Sequence, residues 1–327
     1  MQFDKFAIKL SEICQMDSRV RSPCLFIDAN ESGPPGGLAK LPPCPVIAVG
    51  DRQGAAAGLA DAVVPDRKSA GQMLASISAN AGAAAVLVQL LRLLPSLSLE
   101  AGLVAESLAY GVLQGSAEHS AWLANRPAQP ATAQPGRVRM MRDEARLSIV
   151  LDRPEVGNAI DVAMRDGLAE ALQLACIDDE ITRVSLRAQG RSFSLGAELP
   201  EFGTTRDPAI AHAIRQQTLP AIWAARCGAK MEVHVQGACL GAGLELAAFA
   251  RRITATPNAW FQLPELAMGL LPGAGGCVSL TRRIGRQRTA ELVLSGKRLS
   301  ARSALDWGLI DAIVDGPASD ESGGDIS

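Results

Sequence analysis

The sequence predicts an α/β protein in two parts, a layered domain of alternating strands and helices behind residue 138 and a mainly helical region ahead of it. Three observations carry this. Through the second half, apolar residues recur at period two and then at helical spacing, as in "RLSIVLDRP" followed by the segment from Asp161 to Cys176. Residues 66–124 show helical spacing almost throughout. Between the two, "NRPAQPATAQPG" (125–136) replaces that spacing with Pro, Ala, Gln and Thr, through which no regular element can run.

In chain order, residues 1–65 are rich in Pro and Gly around one clear strand candidate, "CPVIAVG". "DRKSAGQMLASISAN" and "AAAVLVQLLRLLP" read as two helices, the second stopped near Pro95. Ser98 is placed to cap a longer helix with Leu99, Leu103, Ala105, Leu108 and Val112 near helical spacing, ending by Gly115, and a short helix follows from about Ala117 to Leu123. This front region shows no chemistry of its own. Behind the break, Leu147, Ile149 and Leu151 alternate in a strand, and Asp161 caps a helix with Ile160, Met164, Leu168 and Leu172 on its apolar stripe. Val184, Leu186 and Ala188 alternate again, as do Met231, Val233 and Val235, while "RRITATP" and "IDAIVD" supply two more short strands. The division is therefore 1–65 with one or two strands, 66–127 helical, 128–137 linker, 138–315 core and 316–327 polar tail.

With 327 residues, 48% of them apolar, the chain can bury a substantial core. Its 32 basic and 34 acidic side chains are well mixed and leave a net charge of −2, so no field or basic run points to nucleic acid or a membrane surface. Small molecules are the expected partners. Seven scattered cysteines, no CxxC pair and three histidines give no metal site and fit a reducing cytoplasm. Charges recur through the first twenty residues, and the longest apolar run is broken by Gln89 and Arg92, so neither a leader nor a membrane span is expected.

Three loops of the second half combine small and polar residues. In "GRSFSLGAELPEFG", Gly196 and Ala197 follow a strand, either as a plain tight turn or as backbone that lets a ligand come close. In "GACLGAGLELAAFARR", Gly241, Ala242 and Gly243 bare the amides at a helix start, where developing negative charge is best stabilised. Neither the GxxxxGK[ST] phosphate loop nor the GxGxxG dinucleotide spacing is present. In "WFQLPELAMGLLPGAGG", Glu265 stands in apolar surroundings before another Gly-rich turn. Glu245 likewise sits among Leu244, Leu246, Ala247 and Ala248, a costly place for a charge unless it is paired, protonated or hydrogen-bonded. Arg251 and Arg252 are at hand to pair it. If Glu245 and Glu265 converge, their repulsion holds one protonated near neutral pH, as a proton donor beside a water-holding partner requires.

Five segments in order, "RPEVGNAID", "GRSFSLGAELPEF", "VQGACLGAGLELAAFARRITAT", "FQLPELAMGLLPGAGG" and "RRIGRQRTAELVLSGKRLSARSALDWGLIDAIV", resemble the crotonase, or enoyl-CoA hydratase/isomerase, superfamily over residues 138 to 315. The resemblance implies a core of repeated ββα units, two stacked sheets flanked by helices, acting on an acyl-CoA thioester without a cofactor or metal. It implies that the amides of Ala197 and Ala242 form an oxyanion hole, that Ala197, Glu198, Leu199, Pro200 and Gly241 contact substrate or CoA, and that Gly273 lies near the reacting water. Hydratases of the family carry Glu at both positions held here by Glu245 and Glu265, so hydration of a 2-enoyl-CoA is expected, Glu265 exchanging the proton and Glu245 orienting the water. An isomerase using Glu265 alone and a silent acyl-CoA-binding or scaffold protein are the alternatives. A homo-oligomer, trimer or hexamer, is also implied.

The sequence departs from the family pattern at Glu198, where Asp is usual, and at Leu195, where a small residue is usual. Family members continue past the strand matching "GLIDAIV" with a helical cap, whereas here residues 66–127 resemble that cap. A rearranged order, the cap preceding the core, is expected, with an unrelated helical dimerisation domain as the alternative; the rearrangement requires residues 98–124 to lie against residues 138–315, in the same chain or a neighbouring one.

Overall fold

The computed structural model describes residues 5–13, 22–32, 41–127 and 134–316; Cys14, most of the predicted linker and the tail from 317 lie outside them. The front region holds α1 (Leu10–Ile13), three strands and four helices: β1 (Leu25–Asp28), β2 (Val46–Val49), β3 (Ala62–Val64), α2 (Arg67–Ala79), α3 (Ala81–Leu93), α4 (Leu99–Gln114) and α5 (Ala117–Asn125). Asp66, Ser98 and Ser116 accept from the amides of Ser69, Ala101 and His119, which fixes where α2, α4 and α5 begin. Two of the strands, β1 and β3, were not legible as such. Both are short and buried, without the alternation that marks a half-exposed strand.

The second half runs β4 (Arg137–Asp143), β5 (Arg146–Asp152), α6 (Val162–Ile177), β6 (Arg183–Ala188), α7 (Pro208–Thr218), α8 (Ala221–Cys227), β7 (Met231–Val235), β8 (Ala238–Leu240) and α9 (Gly241–Ala247). It ends with β9 (Arg252–Ala255), β10 (Trp260–Gln262), α10 (Gly276–Ile284), α11 (Arg286–Ser295), β11 (Leu299–Ser300), α12 (Ala301–Asp306) and β12 (Ala312–Ile313). Six strands form one sheet in the order β12-β9-β7-β6-β5-β4, and β11-β10-β8 form a second. The alternation read in β5 is real: Leu147, Ile149 and Leu151 are buried and the residues between them half-buried. Asp161 caps α6 through the Met164 amide, and Met164, Leu168 and Leu172 are buried on its stripe.

The two halves are not separate lobes. In the parallel sheet β1-β2-β3, Phe26, Ile47, Ala62 and Val64 join the same core as Leu147, Leu186 and Leu280, while Ile27, Val46, Ala48 and Val63 form a smaller cluster with α1 on the other face. Helix α11 packs on β3, α2 and α3, and α4 packs on α7, α8 and α10. Residues 98–124 therefore lie against the core within one chain, the placement that the rearranged order requires.

One buried carboxylate fastens this junction. Asp61, 1% exposed, accepts from the Val46 amide, from Arg92 of α3 at 2.8 and 2.5 Å and from Arg286 of α11 at 2.9 Å. Removing it leaves two largely buried guanidinium groups without their counter-ion. Asp61→Ala is expected to cost about 3–5 kcal/mol, read as a lower urea midpoint; an unchanged midpoint would contradict the junction described here. A fragment of residues 137–327, lacking the whole front region, is expected to be insoluble or inactive, and a stable, fully active fragment would overturn that dependence.

Candidate active site

A cavity of about 660 Å³ opens where the loops at 195–205, 241–245, 264–268 and 273–274 meet the inner faces of α4 and α7. Two of these loops touch. Ile160 and Ala197 form a parallel bridge, with the Ile160 amide donating to Gly196 O and the Glu198 amide to Ile160 O. Successive amides of an extended chain point to opposite sides, so the Ala197 N–H faces away from Ile160. Ala242 stands in the first turn of α9, whose leading amides have no helical acceptor. A side chain added at Gly196 would reach the Leu240 carbonyl at 3.2 Å and Gly241 Cα at 3.5 Å, so the two amide-bearing loops lie side by side. Gly241, at φ +45°, has a second constraint: its missing Cβ would sit 2.8 Å from Glu265 Oε1.

Both predicted glutamates line this cavity. Glu245 is 2% exposed and Glu265 8%. Glu245 does not pair with Arg251 or Arg252; its Oε2 accepts from the amides of Ala274 and Gly276 at 2.6 and 2.8 Å. Those amides sit at the amino terminus of α10, where unpaired N–H groups and the helix dipole favour an anion. Gly276 permits the approach, since a Cβ there would lie 2.4 Å from Glu245 Cγ. Glu265 Oε2 is buried with no hydrogen-bond partner among the described residues.

A third carboxylate, Glu106 of α4, shares the same helix end. Its Oε1 accepts from Gly275 at 2.6 Å and its Oε2 from Val278 at 3.3 Å. The reading that the front region carries no chemistry is thus corrected, and so is the stripe assigned to α4. Leu108 and Val112 are 53% and 66% exposed, whereas Gly102, Leu103, Glu106, Ser107 and Gly111 face inward, because the face of α4 that meets α10 brings Glu106 to main-chain amides as well as Leu103 to the apolar core. Tyr110, one turn beyond Glu106, lays its ring against Gly273 and lines the cavity. The available signal was the pair of glycines: Gly102, one turn before Glu106, packs against Val278, which only a small residue allows.

Burial sets the electrostatics. It pushes the Glu245 carboxyl up to about 7, against the two amides that favour its charge. Burial, and then the charge on Glu245, lift Glu106 and Glu265 well above the usual carboxylate range, and Glu106 adds to the rise at Glu265. Glu245, held by two short amide bonds, is raised least, while Glu106 and Glu265 carry the added repulsion of its charge. As pH rises through about 7, Glu245 takes up the charge first, while Glu265 keeps its proton.

The other predicted residues divide. Ala197, Glu198, Leu199, Gly241, Ala242 and Gly273 line the cavity, and Leu195 does so as well. Pro200 lines a neighbouring hollow with Trp122 and Arg126 instead. The Glu198 carboxylate is taken up by buried Arg153, which also faces Asp161 at 3.5 Å. Among the described residues no His, Cys, Asp and Glu cluster suits a metal ion. Cys239 and Cys277 are fully buried and burial raises both thiols, which suits packing rather than nucleophilic attack. Trp260 stacks under Arg298, 4.0 Å away, and does not line the cavity.

Comparison with known proteins points the same way. Residues 142–319, more than half of the chain, match the family model described as enoyl-CoA hydratase/isomerase. A 2,3-dehydroadipyl-CoA hydratase of Escherichia coli is 34% identical over 174 residues, covering 53% of this chain and 67% of the relative. An enoyl-CoA isomerase/hydratase of Mycosarcoma maydis is 35% identical, covering 51% of this chain and 65% of that protein, so the shared segment is about two thirds of each relative. Among solved structures, an enoyl-CoA hydratase/isomerase from Mycobacterium abscessus superposes with a TM-score of 0.51 at 32% identity, over 55% of this chain and 71% of that one. The matched residues are those that carry the two amide loops, Glu245, Glu265 and the start of α10, and on this evidence the chain belongs to the enoyl-CoA hydratase/isomerase family.

Proposed function

We propose that the protein hydrates a 2-enoyl-CoA to the 3-hydroxyacyl-CoA, or runs the reverse dehydration, with no cofactor and with the thioester as substrate. The observation that carries this is the convergence of Glu245 and Glu265 on one cavity beside the amides of Ala197 and Ala242. The thioester carbonyl is held by those two amides and becomes the enolate oxygen, a preorganised contact worth roughly 3–4 kcal/mol for each donor removed. Glu245 is anchored through Oε2 and has Oε1 left to hold a water, whose oxygen adds to C3. Glu265, kept protonated, gives its proton to C2 and is restored by the proton from that water. Glu198, Leu199 and Pro200 contact the CoA moiety, and Gly273 borders the water. Helices α4 and α5 close the site in the role that the family's cap plays elsewhere.

A homo-oligomer, trimer or hexamer, completes the proposal. Val104, Leu108 and Val112 on α4 and Ile210 and Ile214 on α7 are exposed apolar side chains on two helices that pack together, a surface that a second copy would cover. A cytoplasmic location, without nucleic-acid or membrane partners, accords with the balanced charge.

Replacing Glu245 and Glu265 singly with Gln is expected to lower kcat for crotonyl-CoA hydration by about 10²- to 10⁴-fold each. Full activity in both variants would remove the mechanism. Loss with Glu265→Gln alone would identify an isomerase acting through Glu265. A pH profile tests the third carboxyl. Glu245 must be anionic to hold water, so kcat should fall on the acid side of about 7. Glu106, lifted further than Glu245, keeps its proton over that range, so neutral Glu106→Gln should leave that limb in place; a limb displaced by on the order of one unit would show that Glu106 is charged where Glu245 titrates.

A further inference from the structure

The cavity wall beyond the three glutamates is apolar at Leu195, Ala211, Ile214 and Leu219, yet it contains a cation, Arg215 of α7. Each group that Arg215 holds is neutral. Its Nε donates to Ser107 Oγ at 3.0 Å, Nη2 to Ser107 O at 3.0 Å and Nη1 to Gln114 Oε1 at 2.6 Å, and its guanidinium lies 4.7 Å from the centre of the Tyr110 ring. No carboxylate among the described residues forms an ion pair with it. The nearest candidate, Glu106, is committed to the amides of α10. The other arginine on the wall, Arg165, is paired with Asp166 at 2.7 Å.

A guanidinium has five N–H donors, of which three are used here, leaving one on each terminal nitrogen. Desolvating such a group without a counter-ion is costly, and burial does push its proton affinity down. The position fits recognition of a ligand better than support of the fold. Arg215 stacks on Tyr110, and the opposite contact of that ring is Gly273, next to the Ala274 amide that holds Glu245. An acyl chain leaving the two amide loops and passing the glutamates meets Arg215 one aromatic ring further on.

We propose that the acyl group of the substrate carries a carboxylate of its own, remote from the thioester, and that Arg215 is the residue that recognises it. The inference deepens the reading of the cavity as an acyl-thioester site and rests on it. A substrate carboxylate supplies the anion missing from the wall and takes up the two free N–H groups, while an uncharged alkyl chain offers them no acceptor. The site thereby discriminates against uncharged chains as well as in favour of charged ones.

The test compares two saturated thioesters of equal chain length, adipyl-CoA and hexanoyl-CoA, which share every phosphate of CoA and differ in the terminal carboxylate. Binding to the full-length protein is measured by calorimetry, so the outcome does not depend on turnover. Adipyl-CoA should bind the wild type roughly 10- to 100-fold more tightly than hexanoyl-CoA, the range for a charge-assisted hydrogen-bonded pair. Arg215→Met should abolish most of that preference while leaving the hexanoyl-CoA Kd within about threefold, and Arg215→Lys should restore part of it. Equal binding of the two thioesters, equal losses for both in Arg215→Met, as a CoA-phosphate contact or a purely structural role would give, or binding of neither, overturns the proposal. The hydration reading fails separately: an Arg215-dependent preference in a protein that hydrates neither crotonyl-CoA nor 2-hexenedioyl-CoA keeps this inference and removes that mechanism.

Discussion

The amino terminus of α10 is the point on which the site depends. Four main-chain amides there, from Ala274, Gly275, Gly276 and Val278, are shared between two buried carboxylates that enter from different directions. Glu245 arrives from the start of α9 in the core and Glu106 from α4 in the front region. A helix end offers about half an elementary charge of stabilisation, too little to hold two full negative charges in a dry setting. Three consequences follow: both carboxyls rise above their ordinary range, the charge on Glu245 lifts Glu106 further, and Glu265, which has no such amides, stays protonated. The assignment of acid and water-holder comes out of hydrogen-bond supply, not from any difference between three chemically identical side chains.

The same arrangement accounts for the small residues around the site. The loops bearing Ala197 and Ala242 come within contact distance because Gly196 and Gly241 have no Cβ to separate them, and Gly241 leaves room for Glu265. Gly276 does the same for Glu245. The functional groups are backbone amides, so side-chain identity at Ala197 and Ala242 matters chiefly through size. The front region completes the enclosure. It is held down by the Asp61 carboxylate between Arg92 and Arg286 and by Glu106 itself, so the contacts that dock it on the core also close the cavity.

Much of this was legible in the sequence where one physical signal sufficed. Leu147, Ile149 and Leu151 announced a strand with one buried face, Asp161 announced a helix start, and a carboxylate among leucines and alanines announced either a paired charge or a site. The pairing of Glu245 with Arg251 or Arg252 was the open alternative, and the structure gives its carboxylate to the α10 amides instead. Strands β1 and β3 were hidden because complete burial erases alternation. Glu106 was hidden for a related reason: on an amphipathic helix a polar residue reads as solvent-facing, whereas here the partner is a set of peptide dipoles that carry no signature in the sequence. Of the stripe read on α4, Leu103 is buried, but Leu108 and Val112, four residues apart, face outward.

The central claim is that two carboxylates from the two halves of the chain compete for one helix end and so divide the protonation states of the site. Carbon-13 NMR titration of the glutamate side-chain carboxyls in the full-length protein, assigned by single Gln substitutions, measures this directly. Glu245 should titrate near 7 and Glu106 and Glu265 above it, and Glu245→Gln should move the midpoints of Glu106 and Glu265 down. Midpoints for all three near 4.5, the ordinary glutamate value, or midpoints of Glu106 and Glu265 indifferent to Glu245, would contradict this division.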